Sequence, residues 1–301
     1  MLATIYNTNW LILITTLMTF NKLTPQESAV IENKSTEAPF TGEYNDFYAN
    51  GFYSCRKCDL PLYKSIDKFN SKCGWPSFDD EIPQRVEKQL DIDKHRTEIT
   101  CKNCDGHLGH IFIGEHLTKK NTRHCVNSLS LKFNDIADIL ANLPDDDSTL
   151  GVIVVAGGCF WGVEYFFEKE PGVLATAPGY TGGSIENPSY TQVCTGDTGH
   201  AEAVAVVFET ATTNVETLYK LFFDIHNPTE KNRQGPDIGN QYRSAIFATT
   251  EKQLDIANTV LKQYPNACTE INKLNKFWIA EKKHHHYYQT LGGKPYCHFK
   301  R

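Results

Sequence analysis

The residues best placed for chemistry are thiols that stand beside indoles, imidazoles or a carboxylate. Gly157-Gly158-Cys159-Phe160-Trp161-Gly162 follows the β-branched run Val152-Ile153-Val154-Val155, which reads as a buried strand. Phe160, Val163, Phe166 and Phe167 then recur at helical spacing. Cys159 is therefore expected in the first turn of a helix, facing unpaired N–H groups and the positive end of the helix dipole. Both favour thiolate, the form that attacks. A small buried cysteine with an aromatic neighbour is the plainer reading of that turn alone. Glu202 adds to the first. In Gly199-His200-Ala201-Glu202-Ala203-Val204-Ala205-Val206-Val207-Phe208 it shares a strand face with Val204, Val206 and Phe208, opposite an alanine-rich face. A carboxyl group on an apolar face is desolvated, so it keeps its proton near neutrality and can act as a general acid. Cys297, in the tail after Gly292-Gly293, is expected to be mobile and suited to a second-step attack.

A second constellation lies earlier in the chain. Cys73-Gly74-Trp75-Pro76-Ser77-Phe78 places a thiol next to an indole, and His107-Leu108-Gly109-His110 brings two imidazoles together. In Arg123-His124-Cys125-Val126-Asn127, strand parity puts Arg123, Cys125 and Asn127 on one face. A guanidinium lowers the pKa of a neighbouring thiol, and an amide can orient a substrate. Cys55-x-x-Cys58 and Cys101-x-x-Cys104 have the spacing of two zinc knuckles. A closed four-thiolate site has no open coordination position, so its role is folding. A redox Cys-x-x-Cys would more often occur once, opening a helix.

The elements that must hold these groups divide the chain in two. Its 301 residues suit two ordinary domains. Residues 22–133 form an expected small all-β, zinc-containing domain. Residues 134–150, with Pro144-Asp145-Asp146-Asp147-Ser148, form a linker. Residues 151–301 form an α+β domain of α/β sandwich type. Lys22 to Glu43 reads as a polar surface arm. Helices are expected near Glu216–Asp224 and Glu251–Gln263, and a strand at Ala245-Ile246-Phe247. His284-His285-His286 reads as a solvated helix face, because adjacent side chains point different ways. The net charge of -6 with scattered basic residues gives a nucleic-acid partner no support. Residues 1–21 hold a short apolar run, Trp10 to Phe20, that favours an export signal or membrane tether over a cytosolic extension. Any membrane association would rest on that run. Only Met1 and Met18 are methionines, which suits a protein working where methionine is oxidised.

Taken together, these motifs resemble methionine sulfoxide reductases, a B-type domain followed by an A-type domain. The four paired cysteines, Cys-Gly-Trp-Pro-Ser-Phe, His-Leu-Gly-His and Arg-His-Cys-Val-Asn-Ser carry the first likeness. Gly-Cys-Phe-Trp-Gly, Gly-His-Ala-Glu-Ala-Val and Gln-Tyr-Arg-Ser-Ala carry the second. The resemblance implies reduction of S-epimers of methionine sulfoxide by the A-type domain and of R-epimers by the B-type domain. In the A-type domain it implies Cys159 as nucleophile, Phe160 and Trp161 as the methyl-receiving wall, and Glu202 as proton donor. Tyr190, Asp237 and Tyr242 would hold the substrate, His284 and Tyr287 would line the pocket, and Cys297 would resolve the oxidised thiol. In the B-type domain it implies Cys125 as nucleophile, Cys73 as resolving cysteine, Trp75 as the wall, and His107, His110 and Asn127 as positioning and protonating groups, with Arg123 beside them. His124 stands where an aromatic is commoner; Cys194 and Cys268 stay unassigned. One structural zinc, no organic cofactor and an external dithiol such as thioredoxin are implied. The competing class is a cysteine-based redox sensor or disulfide-exchange protein, which would need neither Trp75 nor Trp161. An inert zinc scaffold would leave Glu202 unexplained.

Overall fold

The computed structural model describes residues 20–300. The apolar run expected to be an export signal or tether lies almost wholly outside them. Among the described residues no helix is long and apolar enough to cross a membrane.

The N-terminal half opens with a helix, α1 (Pro25–Ile31), followed by nine strands: β1 (Gly51–Cys55), β2 (Pro61–Lys64), β3 (Lys68–Phe69), β4 (Ser77–Phe78), β5 (Val86–Leu90), β6 (Thr97–Cys101), β7 (His107–Ile113), β8 (Thr122–Val126) and β9 (Leu131–Asp135). They form a three-stranded sheet, β2-β1-β9, and a six-stranded sheet, β3-β4-β8-β7-β6-β5. Tyr53, Tyr63, Phe78, Ile99 and Val126 fill the space between them. This half is mostly β rather than all-β. The surface arm expected at Lys22 to Glu43 is corrected by α1, whose Val30 and Ile31 are buried. The cause is local. Thr24 Oγ1 accepts from the Glu27 N–H and Glu27 Oε2 accepts from the Thr24 N–H, a capping box with Pro25 at the first helical position. A helix, α2 (Ile136–Ala141), capped by Asp135, begins the stretch expected to be linker.

The C-terminal half runs β10 (Leu150–Gly157), α3 (Phe160–Phe167), β11 (Val173–Thr181), α4 (Tyr190–Cys194), β12 (Ala201–Glu209), α5 (Val215–Ile225), β13 (Arg233–Gln234), β14 (Asp237–Ile238), β15 (Ser244–Ala248), α6 (Glu251–Leu261), β16 (Glu270–Lys273), β17 (Phe277–Ile279) and α7 (Tyr287–Leu291). Six strands make one mixed sheet in the order β16-β15-β10-β12-β11-β17, with β15 and β16 parallel. The two faces of β12 go to different cores. Val204, Val206 and Phe208 pack with Phe160, Val163, Leu218 and Phe222 of α3 and α5. Ala201, Ala203, Ala205 and Val207 face Phe52 and Ile136 of the N-terminal half. The small alanines let the other half approach closely, so one apolar interface covers the second face of the sheet. Polar bonds edge it. Asn50 Nδ2 donates to the Thr176 carbonyl at 2.7 Å, Lys64 Nζ to the Glu168 carbonyl at 3.1 Å, and Arg85 pairs with Glu209.

Candidate active sites and a candidate metal centre

Cys159 ends the turn from β10 into α3. Gly158 has φ of +100°, a conformation that disfavours any side chain, and Cys159 is the N-cap. The Phe160 N–H, at the head of α3, donates to Glu202 Oε2 at 3.1 Å. Glu202 is 1% exposed. Burial pushes its carboxyl up to about 8, against the pull of the Phe160 N–H and with a further push from Asp237. The Cys159 thiol is also pushed up, first by burial and then by the Glu202 carboxylate, while the Trp161 N–H draws it down. The expectation that the helix terminus would favour thiolate is therefore corrected. Desolvation outweighs the amides. A protonated Glu202 removes the upward push that ranks next after burial, so a proton on Glu202 and a charge on Cys159 support each other.

Aromatic rings wall the site. Phe160 stacks near Tyr190 at 6.3 Å, and Tyr190 lies 4.5 Å from the His284 ring. Trp161 stacks on Tyr287 at 3.7 Å and donates from Nε1 to His284 Nδ1 at 3.2 Å. The solvated face expected at His284-His285-His286 is corrected, since all three are buried or half-buried and each is engaged. His284 is buried against Trp161, His285 Nε2 bonds the Ala280 carbonyl, and His286 Nδ1 meets Glu168 Oε1 at 2.5 Å. Glu281 fixes the rim, accepting from the Tyr180 hydroxyl at 2.8 Å and from the Tyr190 N–H at 2.9 Å. Tyr242 is half-buried, its phenol pushed up by burial and by Glu202.

Cys297 corrects a second expectation. Its tail is exposed at Leu291-Gly292-Gly293, yet Cys297 and His298 are buried. His298 Nε2 bonds the Gly157 carbonyl at 2.7 Å and its Nδ1 lies 3.0 Å from Cys297 Sγ. A Cβ on Gly162 would stand 2.1 Å from His298 Nδ1, so the glycine in α3 makes room for this clamp. Tyr296, which the sequence reading passed over, donates to Asp237 Oδ1 at 3.1 Å. Its one signal was its place beside Cys297.

The second site is assembled from β8, β7 and the loop before β4. Cys73 Sγ lies 3.7 Å from Cys125 Sγ. The contact splits the two thiols: the bond from Cys125 draws the Cys73 thiol down to about 4, and the same contact, with burial, pushes Cys125 up. Arg123 opposes that push on Cys125, although its guanidinium is engaged bidentately by Glu115 and lies over Phe112. Cys125, Asn127, Trp75 and His110 line a cavity of about 120 Å³. His110 Nε2 bonds Asp91 Oδ2 at 2.7 Å. His107 stands behind, its Nδ1 2.7 Å from Glu98 Oε1, its pKa lowered chiefly by burial. Asn127 is held on both ends, donating to the Leu108 carbonyl and accepting from the Glu37 N–H. The Glu37 carbonyl also accepts from Trp75 Nε1 at 3.1 Å. No sequence pattern pointed to Glu37, Glu98 or Asp91, which act only through contacts made in the fold. His124 packs edge-on against Tyr63 at 5.6 Å, taking an aromatic's place. Cys194 and Cys268 are exposed.

The four paired cysteines converge at the ends of β1 and β6. Cys55 Sγ lies 3.6 Å from Cys104 Sγ, and Cys58 Sγ 3.5 Å from Cys101 Sγ. Thiolates at about 2.3 Å from a tetrahedral zinc stand roughly 3.8 Å apart, so the cluster fits that ion. The Asp59 and Asp105 N–H groups close matching turns on the Cys55 and Cys101 carbonyls.

Comparison with known proteins finds a family for each half. The family described as "Peptide methionine sulfoxide reductase" matches residues 151–301, and the "SelR domain" matches residues 23–135. A peptide methionine sulfoxide reductase MsrA of Sulfolobus acidocaldarius is 42% identical over 151 residues, covering 48% of this chain and 86% of that one. Peptide methionine sulfoxide reductase B5 of Oryza sativa subsp. japonica is 51% identical over 112 residues, covering 37% and 82%. The crystal structure of Mxr1 from Saccharomyces cerevisiae in reduced form aligns with a TM-score of 0.49 and 31% identity, covering 52% of this chain and 96% of that one. The chain belongs to the peptide methionine sulfoxide reductases, with a SelR domain ahead of the half that carries Cys159.

Proposed function

We propose that each half reduces one epimer of methionine sulfoxide at its own cysteine. The chain is an oxidoreductase, its C-terminal half taking the S-sulfoxide and its N-terminal half the R-sulfoxide. The observation that carries the mechanism is the Phe160 N–H held at 3.1 Å on Glu202, which positions beside Cys159 a carboxyl that burial keeps protonated. The Cys159 sulfur attacks the sulfoxide sulfur while Glu202 gives its proton to the oxygen. The S–O bond passes to Cys159, methionine leaves, and a sulfenic acid remains. Phe160 and Trp161 receive the methyl group, and Tyr190, Tyr242, Asp237 and Tyr287 hold the rest of the substrate. The Cys297 thiol then displaces water to form a disulfide, which an external dithiol of thioredoxin type reduces by exchange.

In the N-terminal half Cys125 is the nucleophile and Cys73 resolves it, their sulfurs standing close enough to join with little backbone movement. His107, His110 and Asn127 position and protonate the sulfoxide, and Trp75 receives its methyl group. Arg123 favours charge on Cys125. Cys55, Cys58, Cys101 and Cys104 would hold one zinc ion, which ties β1 to β6 and takes no part in turnover. The deciding experiment supplies each separated epimer with dithiothreitol and measures methionine. Turnover of both supports the reading; failure on either removes the corresponding site.

A further inference from the structure

We propose that the cleft between the two halves is the path of the polypeptide that brings S-sulfoxide to Cys159, and that Lys282 and Lys283 select acidic residues flanking it. This rests on the function proposed for the C-terminal half and adds a sequence preference: acidic residues flanking the sulfoxide.

The cleft has a volume of about 980 Å³, with Tyr48 and Ile66 of the N-terminal half on one wall and Lys282, Lys283 and Tyr287 on the other. Pockets for drug-sized ligands run to about 1,000 Å³, so it has room for several residues of extended chain. It meets the site at Tyr287. The Tyr287 ring lines it and also stacks on Trp161, two residues after Cys159. Lys283 Nζ stands 5.9 Å from the ring centre of Tyr190, which neighbours Phe160.

Charge sets the preference. Lys282 and Lys283 are exposed and form no ion pair among the described residues, in a chain whose net charge is -6. The carboxylate nearest in sequence, Glu281, is already engaged by Tyr180 and Tyr190. A free amino acid bound at Cys159 has no flanking residue to lay against these groups.

The test compares three S-sulfoxide substrates at low salt with dithiothreitol: the free amino acid, a peptide with aspartates flanking the sulfoxide, and the same peptide with lysines. Wild type should favour the aspartate peptide by about five-fold or more in kcat/KM, mainly through KM. Lys282→Glu with Lys283→Glu should abolish or reverse that ratio while the free amino acid changes by less than about two-fold. Ile66→Glu, on the opposite wall, should lower kcat/KM for the aspartate peptide alone, with R-sulfoxide turnover reporting that its own half is folded. An unchanged peptide ratio in the double lysine variant, or an Ile66→Glu protein indistinguishable from wild type, overturns the proposal. Failure to reduce the free S-sulfoxide at all would instead count against the function proposed for Cys159.

Discussion

The Phe160 N–H and the Glu202 carboxylate are 3.1 Å apart, which places the acid at the head of the helix that Cys159 caps. One peptide group thus fixes the distance between proton donor and nucleophile. Because Glu202 is buried on β12 and titrates at about 8, it holds a proton at neutral pH. S-sulfoxide turnover should fall as pH rises through about 8, and Glu202→Gln should lower kcat by roughly 10²-fold or more. A flat profile in wild type, measured as kcat against pH, would remove Glu202 from the reaction.

The same burial makes a stability prediction. The folded carboxyl binds its proton more tightly than the unfolded one, so between the ordinary glutamate value of 4.5 and about 8 the native state carries more protons. Its contribution to stability is greatest at low pH and declines across that window, by up to about 1.4 kcal/mol per pH unit. Glu202→Gln should flatten this part of the pH dependence in chemical denaturation. An identical slope in the variant would show that Glu202 is not the titrating group.

Independence of the two cysteines is tested by exchange. Cys159→Ser should abolish S-sulfoxide reduction and leave R-sulfoxide reduction within about two-fold, and Cys125→Ser the reverse, because each nucleophile has its own wall and acid–base groups. Product analysis on separated epimers decides it. Loss of both activities in one variant would mean a shared site.

Gly162→Ala probes the second step alone. The added methyl would meet His298 Nδ1 at 2.1 Å and push the Cys297 segment off the head of α3. The first methionine released per enzyme should appear at a near-normal rate, whereas disulfide formation slows. Single-turnover release followed by thiol titration separates these. A normal count of thiols lost would show that the clamp is dispensable.

For the four-cysteine cluster, metal analysis should return one zinc per chain, and chelation should unfold the N-terminal half. R-sulfoxide turnover should then vanish while S-sulfoxide turnover persists in the remaining folded half. A melting curve unchanged after zinc removal would sink the structural role.

Much of the chemistry was legible in residue order. The β-branched run into Gly157-Gly158 and the helical spacing after Cys159 located the turn, and the paired spacings of Cys55, Cys58, Cys101 and Cys104 located the cluster. Strand parity placed Glu202 with Val204 and Val206, because side chains alternate across a strand whatever surrounds it. The capping box at Thr24 is equally local, although it lies within a stretch of polar composition. Tertiary structure decided the rest, through contacts between residues far apart in sequence. Whether Cys159 is favoured as thiolate depends on burial and on Glu202, not on its helix terminus alone. Cys73 meets Cys125 across 52 positions, and His284 is buried because Phe160, Trp161 and Tyr190 lie against it. The cleft between the halves exists only because an alanine-lined sheet face accepts Phe52 and Ile136. Desolvation and proximity are properties of the packed chain, so local pattern names the reacting groups and packing sets their charge and partners.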